Sequence, residues 1–375
     1  MKITVAPDKF KGSLSSLQAC KAIEAGIHQI IPDADVLLLP MADGGDGFDE
    51  VLKYYLDTKT VTCNTVDPLM RLIVKSYQIN TSSRTAIIAL ASSSGLVLLK
   101  EEERNPLYTS TYGTGLLIQH AIENGAEKII LGVGGSATND AGLGILAALG
   151  FALLDDSGVV ITPVGKNLQL IKSIVPPAVI PSVNFEIACD VQNILFGKEG
   201  AAFVYASQKG ASADDIIMLD KGLQHITYLI QSSTGKQVEN LAGTGAAGGI
   251  AAGLMSYFNC RIVSGTGIVA EAAELKDQLH GTDLLITAEG KLDNQSSNGK
   301  VVQYIADLGK QSGIPVIALC GQSELNSEEV SKMGLLFVKS IAGQNISIKQ
   351  AMATPGILLT DIARSAVINF IEPRQ

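Results

Sequence analysis

Residues 2–13, KITVAPDKFKGS, and residues 36–47, VLLLPMADGGDG, repeat one pattern that decides the fold class. In each segment a short apolar run ends at a proline, and a loop that carries charges and glycine follows. Apolar residues at helical spacing come after both loops, over 13–31 and 48–56. A repeating unit of strand, polar loop and helix predicts parallel strands with functional loops at their carboxyl ends.

The same pattern returns near the carboxyl end of the sequence. Apolar runs at 284–287 (LLIT), 316–320 (VIALC) and 335–338 (LLFV) are each followed by a polar turn and a helical pattern. Together with the first two strands, these runs predict a five-stranded parallel sheet that is doubly wound by helices. We therefore predict one α/β domain built from residues 1–60 and 275–375.

Residues 61–274 are predicted to form a second α/β domain, inserted into the first. Residues 60–66 and 72–79 alternate between apolar and polar around the turn Asp67-Pro68-Leu69, which is typical of an antiparallel hairpin. Strand and helix patterns then resume towards the end of the segment. The sheet of this domain is therefore expected to be mixed.

The composition excludes several classes of protein. With 28 Lys and Arg against 37 Asp and Glu, the net charge of -9 would repel a phosphate backbone, which argues against a nucleic-acid partner. The 38 glycines and the absence of Trp favour close backbone approach to a ligand over an aromatic recognition surface. This profile predicts a small, polar, anionic substrate.

The cysteines and the hydropathy predict a cytoplasmic protein. Five cysteines at wide spacing, with no C-x-x-C pair, are typical of reduced thiols. Asp8 and Lys9 interrupt any apolar core of a signal peptide, and the uncharged stretch 240–260 contains too few apolar residues to span a bilayer. We therefore expect neither a cleaved signal nor a membrane partner.

The loops after the first two strands are candidate sites. Lys9 and Lys11 flank a helix start that Ser13 is placed to cap, which suits a phosphate or carboxylate, with a solvated turn as the alternative. Asp43 and Asp46 lie among three glycines, where a metal or phosphate can approach the backbone, although this composition also occurs in plain turns. Mg²⁺ takes oxygen ligands and often only one or two carboxylates, so both aspartates are metal candidates. Because both loops follow parallel strands, we expect them to meet at one edge of the sheet.

A third loop, residues 132–140 (GVGGSATND), follows an apolar strand and opens a helix. Its glycines and hydroxyls suit oxyanion binding through backbone N–H groups. Gly132, Gly134 and Ala137 also match the dinucleotide pattern G-x-G-x-x-A, with Asp155 at about the expected distance. This match supports an alternative prediction, a nicotinamide-dependent oxidoreductase of a small hydroxy acid.

Three further segments supply candidate residues. Residues 243–249 (GTGAAGG) again match a nucleotide-binding pattern, with close packing through small residues as the alternative. Asp190 follows a strand predicted at 185–188, a position that suits a catalytic carboxylate or a turn, and Glu289 and Asp293 repeat this arrangement. No G-x-x-x-x-G-K-[ST] motif occurs, which excludes a P-loop kinase.

Six motifs, taken together and in order, resemble those of the bacterial glycerate kinase family and span essentially the whole chain. The motifs are APDKFKGS, PMADGGDG, GVGGSATNDAG, CDV, GTGAAGG and TAEGKLDNQS. The resemblance implies a flavodoxin-like domain joined to a second α/β domain. It also implies Mg²⁺-dependent transfer of the γ-phosphoryl group of ATP to a hydroxyl of D-glycerate, with 2-phosphoglycerate favoured over 3-phosphoglycerate on family grounds. Such transfer depends mainly on positioning and on charge stabilisation.

The resemblance implies roles for the candidate residues. Lys9 and Lys11 would neutralise the substrate carboxylate or the moving phosphoryl group, while Asp43, Asp46 and Asp190 would hold Mg²⁺ or accept the hydroxyl proton. We expect Lys9, Asp43 and Asp190 to share one cavity. The residues implied in binding nucleotide phosphates or small anions are Gly134, Gly135, Ser136, Thr138, Asn139, Asp140, Gly243 and Gly245, and the substrate candidates are Asp8, Ser13, Glu289 and Asp293.

Two other classes of protein compete with the kinase. The oxidoreductase leaves Lys9, Lys11 and the DGGDG loop without a function. A non-catalytic sensor of a small acid would explain the glycines but would release no ADP in the presence of D-glycerate. The sequence makes no prediction about oligomeric state.

Overall fold

The chain forms two compact units in a computed structural model, which describes residues 1–45, 47–293, 301–342 and 352–372. The first unit combines Met1–Asp43 with Thr266–Gln375, and the second is Gly44–Gly265. The first unit is thus built from both ends of the chain.

Strands and helices alternate through most of the described residues. The strands are β1 (Lys2–Val5), β2 (Asp35–Leu38), β3 (Lys59–Val66), β4 (Leu72–Asn80), β5 (Thr85–Ala89), β6 (Lys128–Gly132), β7 (Ala152–Leu154), β8 (Ser173–Val175), β9 (Asn184–Ala188), β10 (Asn259–Val263), β11 (Leu284–Leu292), β12 (Val316–Ser323) and β13 (Phe337–Ser340). The helices are α1 (Ser16–His28), α2 (Phe48–Tyr55), α3 (Ala91–Ser94), α4 (Tyr112–Glu123), α5 (Leu143–Ala148), α6 (Ala201–Tyr205), α7 (Ala213–Thr234), α8 (Ile250–Tyr257), α9 (Gly265–Ala272), α10 (Leu275–Gln278), α11 (Val301–Ser312), α12 (Ser327–Lys332) and α13 (Pro355–Ile371). None of the described helices combines the length and the apolar composition that a bilayer-spanning segment requires.

The first unit contains the predicted five-stranded parallel sheet, in the order β13-β12-β11-β1-β2. This is the flavodoxin-like strand order. The strands themselves stay parallel, but successive strands are added on one side of β1 first and then on the other, so the strand order reverses between β1 and β11. Buried apolar side chains such as Ile3, Ile286 and Ile317 form its core, as expected for strands covered on both faces. The predicted α/β fold with a parallel sheet is therefore confirmed.

The helix that follows the first loop begins later than predicted. Residues Phe10 and Leu14 form an isolated bridge, and the chain between them makes a tight turn. The helix therefore starts at Ser16, and Ser15 caps it by accepting a hydrogen bond from the Gln18 N–H while Gln18 bonds back to Ser15. The predicted cap at Ser13 is wrong, because the Ser13 hydroxyl donates to the Phe10 carbonyl instead.

The second unit contains the predicted mixed sheet, in the order β10-β9-β6-β5-β4-β3. Strands β5, β6, β9 and β10 run parallel, and β3 and β4 form the predicted antiparallel hairpin. A short two-stranded sheet of β7 and β8 lies apart from it. Because the parallel strands run side by side, their carboxyl-terminal loops emerge at one edge.

The observed boundaries of the units differ from those predicted at residues 60 and 275. Helix α2 packs against β4 and β5 of the second unit, although the sequence analysis assigns it to the first domain. Its Phe48 is completely buried and lies against Gly132 at the end of β6. The apolar face of α2 therefore places the boundary directly after Asp43, and the division into two domains stays a prediction.

Candidate active site

The loops after β1 and β2 meet in the first unit. The Met41 N–H donates to the Pro7 carbonyl at 2.9 Å, and Lys9 Nζ lies 3.7 Å from Asp43 Oδ1. The Asp8 N–H donates to the carbonyl of Ala288 in β11 at 2.7 Å. Asp8 therefore sits where the strand order reverses between β1 and β11, the usual ligand position in open parallel sheets.

Asp8 is a buried carboxyl group among other charges. Its residue exposure is 7%, and burial, aided by the nearby Asp43 carboxylate, raises its pKa to about 7 against the opposing attraction of Lys9. Glu289 on β11 is also 7% exposed and contributes to the same rise. Because desolvation penalises charge, this cluster favours a bound cation or proton.

The other predicted residues of the first unit lie around this cluster. Lys11 is exposed, and its backbone passes close to Gly290 of β11. Asp293, at the end of β11, lies 3.4 Å from Lys291 Nζ, which also pairs with Glu324 at 2.9 Å. The structure thus brings the first motif, residues 40–43 of the second motif and residues 287–293 of the last motif together in one unit.

The glycines of the DGGDG loop pack against strand ends in the second unit. Gly44 has φ +83°, and a side-chain carbon there would lie 2.7 Å from the Ala188 carbonyl oxygen. The Gly134 N–H donates to the Gly44 carbonyl at 3.2 Å, and a side-chain carbon at Gly134 would overlap Gly45. These glycines could not carry side chains here, because the second and third motifs contact each other through them. They also bring the second motif against Ala188, directly before the CDV motif, at the carboxyl ends of β6 and β9. Asp46 lies outside the described residues.

The turn at Gly134, Gly135 and Ser136 contains the accessible part of the third motif. Gly135 is exposed and has φ +71°, a conformation that favours glycine. The backbone N–H group of Gly135 donates to no group among the described residues, whereas Ser136 is buried. Consecutive N–H groups beside a left-handed residue form the kind of concavity that binds anions.

Thr138, Asn139 and Asp140 are completely buried beneath this turn. The Asp140 carboxylate accepts hydrogen bonds from the Thr111 N–H and hydroxyl and from the N–H groups of Gly142 and Gly144. Burial raises the pKa of Asp140, and these four donors oppose the rise. Asp140 thus ties the loop to two helix starts, and its predicted contact with a nucleotide stays a prediction.

Lys209 lies under the same loop and was not singled out by the sequence. Its residue exposure is 2%, and its Nζ donates to the Thr138 carbonyl at 2.7 Å. Burial lowers the pKa of Lys209 to about 7, against the attraction of Asp140. The sequence carries no signal for this contact, since a lysine in a short turn is normally solvated.

The segment 243–249 packs closely against its neighbours. Gly243 approaches Ile262 and the Val191 carbonyl, and Gly245 lies against Ile194. The Gly245 N–H donates to the Asn193 carbonyl at 2.9 Å. This geometry is that of close packing, the alternative interpretation of the segment, and phosphate binding by Gly243 and Gly245 stays a prediction.

Asp190 follows β9 and is partly exposed. Its Oδ1 accepts a hydrogen bond from the Ser264 hydroxyl at 2.7 Å. It belongs to the second unit, whereas Lys9 and Asp43 belong to the first. The Lys9–Asp43 pair is observed, and the shared cavity with Asp190 stays a prediction.

The candidate carboxylates can supply oxygen ligands but no complete metal cage. No group of three or more His, Cys, Asp or Glu side chains is arranged to hold a metal within the described part of the chain. Mg²⁺ commonly takes one or two carboxylates, with water and substrate phosphates as its other ligands. The predicted roles of Asp43 and Asp190 as metal ligands stay predictions.

The dinucleotide interpretation of residues 132–137 lacks its expected topology. In that fold the strand after the helix joins the parallel sheet and ends at the acidic residue. Here β7 instead pairs antiparallel with β8, and Asp155 accepts the Ser157 and Val159 N–H groups of an exposed turn. The geometry therefore gives the oxidoreductase no support.

A cavity of about 600 Å³ lies at the opposite end of the first sheet. It is lined by residues that precede β11 and β12, including His280, Thr282 and Gly313. None of the predicted site residues lines it. It therefore adds nothing to the chemistry at the carboxyl ends of the strands.

Comparisons with known proteins give a consistent result. The family model described as the glycerate kinase family matches residues 3–371. A glycerate kinase of Halalkalibacterium halodurans is 39% identical over 373 residues, covering 98% of this chain and 97% of that protein. A protein of Escherichia coli named glycerate 2-kinase is 40% identical over 324 residues, covering 86% of this chain and 85% of that protein. A crystal structure from Salmonella typhimurium, assigned as a glycerate kinase 2, matches with a TM-score of 0.80 and 37% identity over 99% of both chains. With both its motifs and its fold accounted for over nearly its full length, the chain belongs to the glycerate kinase family.

Proposed function

We propose that this protein transfers the γ-phosphoryl group of ATP to the 2-hydroxyl of D-glycerate. Family membership supports the kinase activity, and the name of the Escherichia coli relative supports the 2-position. The observation that carries the proposal is the cluster of Asp8, Lys9, Asp43 and Glu289, where the strand order of the first sheet reverses. Such a switch point is where a small ligand binds in a flavodoxin-like sheet.

The chemistry requires a hydroxyl oxygen to attack the γ-phosphorus while the bond to the bridging oxygen of ADP breaks. Lys9, together with Lys11, would neutralise the glycerate carboxylate or the moving phosphoryl group. Asp43 and Asp190 would hold Mg²⁺ or accept the hydroxyl proton. The Mg²⁺ ion supplies charge neutralisation of the phosphates when it is bound.

The turn at Gly134, Gly135 and Ser136 is our proposed site for nucleotide phosphates. The exposed, left-handed Gly135 and its N–H group, which donates to no group among the described residues, support this role. Thr138, Asn139 and Asp140 are buried and would act by holding this turn in place. Asp8, Ser13, Glu289 and Asp293 are the residues from which a glycerate contact would come.

An assay of ADP release with Mg-ATP and D-glycerate tests the proposed function. We expect turnover that requires D-glycerate, and a phosphorus NMR spectrum of the product that shows 2-phosphoglycerate. ADP release no greater than that without an acceptor would reject the kinase, whereas 3-phosphoglycerate as the product would reject only the 2-position. D-lactate, which has the 2-hydroxyl but lacks the 3-hydroxyl, is the matched acceptor.

Two substitutions separate the proposed roles of the carboxylates. Loss of the proton acceptor should lower kcat about 100-fold or more at saturating Mg²⁺. Loss of a metal ligand should instead raise the Mg²⁺ concentration that is needed for half-maximal rate. Asp43→Asn and Asp190→Asn are compared in a Mg²⁺ titration, and near-normal behaviour of both would remove these residues from the mechanism.

A further inference from the structure

Lys209 is a buried cation that the proposed reaction does not use. Its side chain has 2% exposure in the second unit, and its Nζ donates to the Thr138 carbonyl at 2.7 Å. Taking an ammonium group out of water is unfavourable, and a buried pair of opposite charges, such as Lys209 with the nearby Asp140, is often no more stable than well-packed apolar side chains of similar volume. Folding alone therefore gives little reason for a lysine here.

The loop above Lys209 carries other unfavourable features. The Thr138 hydroxyl and both amide atoms of Asn139 are buried without a hydrogen-bond partner among the described residues. Ala141 and Ala247 have φ values of +54° and +52°, which alanine rarely adopts. Unpaired polar groups and strained backbone are retained mainly where function requires them.

These features lie in direct contact with one another. The Ala141 N–H donates to the Gly248 carbonyl at 2.9 Å, and a side-chain carbon at Gly248 would overlap the Thr138 carbonyl. The Thr138 peptide is thus held between Lys209 and the 247–249 backbone. Its orientation fixes the chain that leads back to the exposed turn at Gly134, Gly135 and Ser136.

The charge of Lys209 has a further effect on this turn. Neither 132–140 nor 243–249 contains a Lys or Arg, so these segments bring no cation of their own to a bound phosphate. The buried ammonium lies under a carbonyl only two residues after Ser136. In a medium of low dielectric constant, a charge acts over such distances more strongly than in water.

We propose that Lys209 is a positioning residue for the nucleotide, one that holds the Thr138 peptide and places a positive charge beneath the phosphate-binding turn. The inference rests on the proposed function. It predicts that Lys209 supports the binding of ATP in addition to the stability of the fold.

The test compares Lys209→Met with wild type in steady-state kinetics and in thermal unfolding without ligand. At pH 6, below its pKa of about 7, Lys209 carries its charge, and two unit charges about 10 Å apart at an effective dielectric constant of about 20 attract with an energy worth about tenfold in binding. We therefore expect the KM for ATP to rise about tenfold, with kcat and the KM for D-glycerate within about twofold of wild type. The unfolding temperature should fall, because the substitution leaves the buried Thr138 carbonyl without its donor and the buried Asp140 without its neighbouring cation, so the KM for ATP is the readout that separates the proposed role from a purely structural one.

Lys209→Gln and Lys236→Met complete the design. A Gln side chain can still donate to the Thr138 carbonyl but carries no charge, so the KM of Lys209→Gln for ATP should lie between those of wild type and Lys209→Met. If Lys209→Met does not fold, Lys209→Gln takes its place in the comparison. Lys236 also donates to a backbone carbonyl, that of Met255, but is exposed, so Lys236→Met should behave as wild type. A lower unfolding temperature with an unchanged KM for ATP in Lys209→Met would show a structural role and overturn the inference. Absence of glycerate-dependent activity in wild type would instead reject the proposed function.

Discussion

Replacing Asp8 by Asn should stabilise the protein while it reduces activity. Burial and the neighbouring carboxylates raise the pKa of Asp8 from 3.8 to about 7. At about 1.4 kcal/mol for each pH unit in that interval, the charged form is disfavoured in the folded protein by about 4 kcal/mol. Asn keeps the shape of the neutral acid and can still accept the Lys9 N–H, as Asp8 does at 2.7 Å.

The stabilisation by Asp8→Asn should depend on pH, because folding raises the pKa of Asp8. A carboxyl group whose pKa is raised by folding contributes stability below its unfolded pKa, and this contribution is lost as the pH rises through the folded pKa. Asp8→Asn and wild type should therefore be equally stable near pH 4. The variant should become more stable by about 1 to 2 kcal/mol at pH 5 and by about 4 kcal/mol at pH 8.

Urea unfolding in EDTA, followed from pH 5 to pH 8, measures this difference without bound metal. Asp33→Asn, which neutralises an exposed aspartate of the same unit, is the matched control and should show little change with pH. An Asp8→Asn protein that is less stable than wild type at pH 8, or a difference that does not grow with pH, would refute this account of the cluster. Activity of the variant is expected to fall through a higher KM for D-glycerate, because the site loses a proposed glycerate contact at the switch point.

Three further substitutions test other parts of the site. Asp140→Ala leaves three buried backbone N–H groups without their acceptor, so the free energy of unfolding in urea should fall by at least about 3 kcal/mol. A decrease below about 1 kcal/mol would contradict the role given to the Asp140 carboxylate. Gly134→Ala places a carbon against Gly45, so the midpoint of thermal unfolding should fall and the KM for ATP should rise. Wild-type values of both would mean that the loops containing Gly45 and Gly134 separate freely. Lys9→Ala removes the cation beside Asp43 and should raise the KM for D-glycerate about tenfold or lower kcat, and if neither changes, the first loop is only structural.

The first unit could be predicted almost strand by strand because its strands are buried on both faces. Such strands are continuous apolar runs with polar turns after them, and their order follows from the fold class. Strand β11 continues past the predicted run to Leu292, since Glu289 and Lys291 stay paired with β12 although they are charged. The apolar pattern alone could not show this extension.

The second unit was less predictable where contacts across the sequence decide the structure. Strand β10 (NCRIV) lies at the edge of its sheet and has no apolar run to mark it. The burial of Lys209 depends on a carbonyl 71 residues away, for which the local sequence carries no signal. The glycines at 44, 132 and 134 are predicted to let a ligand approach the backbone, and this stays a prediction; in the structure, side-chain carbons at these positions would meet Ala188, Gly44 with Phe48, and Gly45.

The interior position of β1 has a consequence for biosynthesis. Strand β1 pairs with β2 on one side and with β11 on the other, and α1 packs against α13, so the first unit needs residues from both ends of the chain. Translation at roughly 5–20 residues per second separates β1 from β11 by on the order of tens of seconds. During that interval the contiguous second unit can mature while β1 stays paired on one side only, with the edge that later pairs with β11 open to other strands.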